Sequence, residues 1–108
     1  MRAIIVSVRI QLDRERIAEF CRRWKITEFA LFGSVLRDDF RANSDVDVLV
    51  TFTPNARWTL FDMVHMQNEL KKIFDREVDL VERRAVEQSE NYIRRQHILR
   101  SVEPVYVA

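Results

Sequence analysis

Apolar and polar residues alternate at the start of the chain, and after Asp13 the apolar residues recur at helical spacing. The alternating apolar positions are Ile4, Val6, Val8, Ile10 and Leu12. This period of two predicts an edge strand with one buried face. Asp13 follows and is placed to cap a helix that extends through Lys25. The apolar residues of that segment recur every three or four positions, at Ile17, Phe20, Cys21 and Trp24, so an amphipathic helix is predicted.

Two strand-like runs flank the only glycine of the chain. Residues 28 to 32, EFALF, are apolar and end at Gly33, and a short helical turn is predicted from Ser34 to about Asp39. Residues 46 to 52, VDVLVTF, are rich in β-branched side chains and almost continuously apolar. That composition predicts a strand covered on both faces.

The second half of the chain continues the alternation of helix and strand. Helical spacing of apolar residues predicts a long helix from Trp58 to Phe74. Residues 77 to 81, EVDLV, are predicted to form a strand, and a charge-rich helix is predicted from Val86 to about Leu99, before Pro104. The predicted fold is therefore α/β of the α+β kind, a mixed sheet flanked by helices. The length of 108 residues predicts a single domain over 1–108.

The composition of the chain limits the cellular compartment and the kinds of partner that are expected. Lys and Arg total 18 against 17 Asp and Glu, so no overall charge favours nucleic acid, and direct nucleic-acid binding is not expected. The lone Cys21 excludes an internal disulfide, which suggests a reducing cytoplasm. No apolar run has the length of a membrane span or a signal peptide, so neither membrane association nor export is expected.

Asp45 and Asp47 stand two apart at the start of a predicted strand, so both carboxylates project from one face. Two like charges at the edge of a buried strand repel each other, and a bound divalent cation relieves that repulsion. Hard oxygen ligands suit Mg²⁺, which binds a few carboxylates together with substrate phosphates. A two-metal site needs a further carboxylate, and Asp79, in the strand EVDLV, is the candidate.

Gly33 and Ser34 supply a site for the phosphates. Without a side chain, Gly33 lets backbone N–H groups approach an anion, and a helix beginning at Ser34 directs its positive end to the same place. Arg37 lies one turn further and can neutralise a phosphate oxygen. These features predict a nucleoside triphosphate as substrate.

The joined motif of Gly33-Ser34, ten intervening residues and Asp45-Val46-Asp47 resembles the signature of the polymerase-beta-like nucleotidyltransferase superfamily. The short chain is similar to its minimal branch, the MNT domain proteins. The resemblance implies that Asp45 and Asp47 coordinate two Mg²⁺ ions. It also implies that Asp79 joins one metal and helps to activate an acceptor hydroxyl, while Gly33 and Ser34 hold ATP.

The minimal branch also implies a partner. Its MntA-type members resemble antitoxins of type VII toxin–antitoxin pairs, which silence HEPN-domain ribonuclease toxins by transferring AMP from ATP to a toxin tyrosine. By that resemblance the partner is a HEPN toxin. Acceptor recognition would come from the partner or from a second copy of this chain, so a homo-oligomer is among the expectations.

Other interpretations of the same residues remain open. The protein could be a binding module that neutralises its partner by covering its surface, or it could transfer a nucleotide to a small molecule or to RNA. Asp79 could belong to an ion pair with Arg76 or Arg83, and Arg37 could be a surface charge. A basic run in the last predicted helix could contact RNA but is more typical of a solvated helix face; it consists of Arg94, Arg95 and Arg100 with Tyr92. His65 and His97 are more typical of structural or solvent-facing helix residues than of ligands.

Overall fold

A computed structural model describes residues 10–37 and 40–108. The predicted strand over residues 4 to 12 falls largely on residues 1–9, outside this described part. The predicted helix after Asp13 is confirmed as α1 (Arg14–Arg23), and the Asp13 side chain accepts a hydrogen bond from the backbone N–H of Arg16 at 3.2 Å. It ends before Lys25, whose left-handed backbone (φ 58°) stops helical propagation.

The described sheet has four strands in the order β3-β2-β1-β4. Their bounds are Ile26–Phe32 for β1, Val46–Phe52 for β2, Val78–Glu82 for β3 and Val102–Val107 for β4. Strand β1 is antiparallel to both β2 and β4, whereas β2 and β3 are parallel. A mixed sheet flanked by helices is the predicted fold class, which is thereby confirmed.

Helices cover both faces of this sheet. On one face α1 and α2 (Leu60–Phe74) build the main core, in which Phe20, Phe29 and Leu70 are completely buried. On the other face α3 (Arg83–Glu87) and α4 (Tyr92–Arg100) enclose a smaller core. That core contains Phe32, Leu49, Val86 and Ile98. Because side chains alternate along β2, Val46, Val48 and Val50 enter the main core, and Asp47 shares the α4 face with Leu49.

The last third of the chain departs from the sequence prediction. One helix over residues 86 to 99 was expected, but the backbone forms two, separated at residues 88–91, and α4 begins with Asn91 as its N-cap. The strand β4 was not predicted, because Pro104 was taken as a stop signal. Pro104 is accommodated next to Ala30, where the register of β1 and β4 shifts, on the outer strand of the described sheet.

None of the helices in the described ranges is long and apolar enough to cross a membrane.

Candidate active site

Gly33 lies where β1 passes into a single 3-10 turn (Gly33–Leu36), and its backbone has a φ of +77°. A Cβ atom placed there would lie 2.2 Å from Oδ2 of Asp47 and 3.2 Å from its Cγ. Such a contact is far inside van der Waals distance, and the positive φ is itself unfavourable for other residues. Glycine is therefore required for Asp47 to occupy its position beside the turn.

The strand register brings two of the predicted carboxylates side by side. Asp47 of β2 pairs with Asp79 of the parallel strand β3, and on its other side with Phe32, directly before Gly33. Asp45 is exposed and immediately precedes β2, and Asp79 is also exposed, whereas Asp47 is partly buried. The structure thus collects the aspartates at one end of the β2–β3 pair.

Asp79 has no ion pair with either arginine that the sequence offered. Arg83 pairs with Glu28 at 3.5 Å, and Arg76 donates to the backbone carbonyls of Arg41 and Ser44 at 3.1 Å. Within the described ranges, the ion-pair interpretation of Asp79 therefore finds no support.

The electrostatics of the site centre on Asp47. The pKa of its carboxyl is raised from the usual 3.8 to about 6, mainly by burial and in addition by the neighbouring charges of Asp79 and Asp45. The guanidinium groups of Arg37 and Arg94 act in the opposite direction and lower this pKa. A half-buried carboxyl among like charges is a position where added positive charge is favourable.

A cavity of about 820 Å³ opens in front of these groups. Its wall includes Gly33, Arg37, Asp47 and Asp79, together with residues of α4. Ser34 and Asp45 are outside this wall but adjoin it, since Ser34 follows Gly33 and Asp45 lies two residues before Asp47 on the chain. The volume is within the range of ligand pockets for drug-sized molecules.

Three basic residues of the cavity wall were not predicted as part of the site. Arg94, His97 and Arg100 of α4 line the cavity together with the aspartates. They stand at intervals of three, which places them along one side of a helix. That spacing was visible in the sequence, but a solvated charged helix face has the same pattern.

The donor set has the chemistry of a Mg²⁺ site, because its ligands would be hard carboxylate oxygens. In the described ranges, however, no three Asp, Glu, His or Cys side chains are already close enough to hold a metal ion. Asp45 and Asp79 are exposed, so their side chains can turn towards Asp47 without unpacking the core. Asp45, Asp47 and Asp79 are therefore the residues that would hold the ion.

Comparison with known proteins identifies the family of this chain. Residues 14–102 match the nucleotidyltransferase domain family, and the chain belongs to it. A curated relative from Methanocaldococcus jannaschii, named "putative protein adenylyltransferase", is 30% identical over 64 residues, which are 59% of this chain and 64% of the relative. The match thus spans slightly less than two thirds of that relative. A second protein of the same name and organism is 24% identical over 86% of both chains.

Solved structures share the fold. A structure described as a "putative minimal nucleotidyltransferase" is 31% identical, covers 84% of this chain and 87% of its own, and has a TM-score of 0.64. A toxin–antitoxin structure with AMP-PNP is 22% identical over 90% of this chain and 75% of its own, with a TM-score of 0.69. A chain from a structure described as a tri-AMPylated Shewanella oneidensis HEPN toxin in complex with an MNT antitoxin is 21% identical. The match covers 88% of this chain and 70% of that chain, with a TM-score of 0.60. The last two similarities concern the fold alone.

Proposed function

We propose that this protein is a minimal nucleotidyltransferase that transfers AMP from ATP to a hydroxyl group of a partner protein, with Mg²⁺ held by Asp45, Asp47 and Asp79. The observation that supports it most directly is the contact between Gly33 and Asp47. It places a side-chain-free turn, where phosphate can reach the backbone, directly beside the carboxylate that would hold a metal. Gly33, Ser34 and Arg37 would bind the phosphates.

The reaction is a displacement at the α-phosphorus of ATP. The acceptor oxygen forms a bond to that phosphorus, and the bond from phosphorus to the oxygen bridging to the β-phosphate breaks. Pyrophosphate leaves with the bonding electron pair. The proton of the acceptor hydroxyl passes to a carboxylate. Asp79 is the candidate, because it is exposed and pairs with Asp47 across strands β2 and β3. When bound, Mg²⁺ would neutralise phosphate charge and the mutual repulsion of the aspartates.

The partner in this proposal is a HEPN-domain toxin, with a tyrosine as the acceptor. The support is the fold shared with an MNT antitoxin in complex with an AMPylated HEPN toxin, and with a toxin–antitoxin structure that contains AMP-PNP. In this proposal the acceptor is positioned by the partner itself or by a second copy of this chain.

The test is transfer of label from α-labelled ATP, with Mg²⁺, to a HEPN-domain protein encoded beside this chain. The variant Asp47→Asn should reduce labelling on the order of 100-fold, since a positioned charge at the reacting centre is lost. Asp75→Asn is a matched control. Asp75 is an exposed carboxylate in a left-handed position after α2, which asparagine also tolerates. Full labelling by Asp47→Asn would show that this carboxylate is not part of the catalytic site.

A second candidate function, neutralisation of a partner by binding alone, is favoured by an exposed apolar surface on α2. Leu60 and Phe61 are 83% and 80% exposed, and Val64 lies one turn further at 56%. Exposed apolar side chains in a cluster are typical of protein interfaces. The double variant Asp45→Asn with Asp47→Asn separates the candidates: if binding suffices, it still protects cells from the toxin, and if catalysis is required, protection is lost.

A further inference from the structure

Helix α4 presents a row of basic side chains to the cavity. Its orientation is fixed by Ile98, which is buried in the smaller core, and by Asn91, whose side chain accepts a hydrogen bond from the backbone N–H of Arg94 at 3.0 Å. With the helix held in this way, Arg94, His97 and Arg100 line the same cavity as Asp47 and Asp79. The basic row is therefore part of the wall and does not depend on a flexible segment.

The basic residues of α4 divide into two kinds. The guanidinium of Arg95 donates to the backbone carbonyl of Ser89 at 2.7 Å and lies over the ring of Tyr92, 5.3 Å from its centroid. That side chain is already used to hold the start of the helix. By contrast, no carboxylate of the described residues lies within ion-pair distance of Arg94, His97 or Arg100.

The charges of the residues that line the cavity indicate which kind of ligand it would bind. The carboxylates of Asp47 and Asp79 would repel a polyanion, and a Mg²⁺ ion held by the aspartates would offset that repulsion. The β- and γ-phosphates carry most of the charge of a triphosphate, and they need cations that are not already paired with carboxylates. Arginine is suited to this task, because its planar guanidinium donates two parallel hydrogen bonds to phosphate oxygens.

We propose that Arg94, assisted by His97 and Arg100, completes with Gly33, Ser34 and Arg37 the subsite for the β- and γ-phosphates of the nucleotide and then for the pyrophosphate that leaves. This inference rests on the proposed function, because it assumes that the cavity binds a nucleoside triphosphate. It also gives α4 a role in the reaction, that of stabilising the charge that develops on the leaving group.

Calorimetric titration of the intact chain with ATP, AMP and pyrophosphate, each with Mg²⁺, tests the subsite. Arg94→Gln should weaken ATP and pyrophosphate binding about 10-fold or more, because a charge-assisted hydrogen bond is lost, and should leave AMP binding within about 2-fold. The N-cap bond survives this change, since it uses only the backbone of residue 94. Arg22→Gln, an exposed position on α1 outside the cavity wall, makes the same change in net charge and should alter none of the three affinities.

Three results distinguish the outcomes. Recovery of part of the ATP affinity by Arg94→Lys would support the subsite, since lysine keeps the charge without the planar fork. Equal losses of ATP and AMP binding, or no loss of ATP binding, would overturn it while leaving the proposed function intact. If the unaltered chain binds neither ATP nor pyrophosphate, the proposed function itself fails and the subsite with it.

Discussion

At the scale of single residues, the ionised carboxylate of Asp47 lowers the stability of the fold, although the proposed site uses it. Its carboxyl is partly buried beside Gly33 and faces Asp79 and Asp45, and its pKa is raised to about 6. In the unfolded chain the same group titrates near 3.8. Between these values the folded protein binds more protons than the unfolded chain, so stability falls as the pH rises through this window.

The change Asp47→Asn should remove this loss. We expect the variant to be more stable than the parent at pH 7 by on the order of 1 to 2 kcal/mol, allowing for solvent screening of a half-buried group. The gain should vanish below about pH 3, where Asp47 is protonated in both states. Urea unfolding at a series of pH values measures it, with Asp75→Asn as the control. An equal gain at every pH would contradict the assignment of the effect to ionisation.

The residues of the site were predictable to different degrees. Gly33, Asp45 and Asp47 were predicted as site residues because glycine occurs only once in this chain and because carboxylates inside an apolar strand have few structural explanations. Asp79 was predicted for the second reason, and in the strand register it lies beside Asp47. Arg94 was not identified, because arginines on an amphipathic helix are ordinary, and only the packing of α4 decides which of them meet the cavity.

At the scale of elements, the first turn of α4 is stabilised by its N-cap residue, Asn91. Asn91→Ala removes the acceptor for the N–H of Arg94, and we expect it to cost about 1 kcal/mol of stability and to weaken ATP binding, because the same turn carries Arg94. Thr59→Ala is the matched control. It breaks the capping box of α2, where Thr59 and Asp62 bond reciprocally, at a similar cost.

The comparison of these two caps is made by thermal unfolding together with ATP titration. Both variants should lose stability, but only Asn91→Ala should lose affinity, since α2 contributes no residue to the wall of the cavity. An equal loss of affinity in both variants would mean that lowered stability alone explains the effect.

Elements with strong periodicity were predicted within a few residues of their ends, as β2 and α1 show. The errors lie after residue 82, where packing decides. The polar segment at residues 88–91 has no strong stop signal, yet the helix breaks there so that Val86 and Ile98 can both enter the smaller core. Strand β4 exists because β1 offers it a partner over most of its length, and no local pattern reveals such a partner.

At the scale of the whole molecule, one sheet joins two cores of unequal size. Trp24 and Trp58 pack edge to face on the main-core side, with ring centroids 5.1 Å apart, while the cavity opens on the α4 side. Because β1 and β2 contribute residues to both cores, we expect the described elements to unfold as one cooperative unit.

Binding of ATP with Mg²⁺ on the α4 side should therefore stabilise the distant tryptophans. At a free concentration of 100 times the dissociation constant, the gain is about 2.7 kcal/mol, which corresponds to a rise in Tm of about 10 °C or more for a domain of this size. Tryptophan fluorescence and far-ultraviolet circular dichroism should report the same shift. A shift seen by circular dichroism alone would show that the two faces unfold independently.

The pairing of β4 with β1 has a consequence for how the cavity can widen. Val102, the first residue of β4, pairs with Phe32, and Phe32 directly precedes Gly33. The end of α4 is thus tied through Ser101 to the same strand that carries the glycine turn, so these two parts of the rim keep a fixed separation. We therefore expect the cavity to widen by movement of the start of α4, around Asn91, and not at the Ser101 end. If the cavity binds ATP as proposed, ATP would enter and pyrophosphate would leave at the Arg94 end of the helix, and turnover would depend on how often that first turn moves outward.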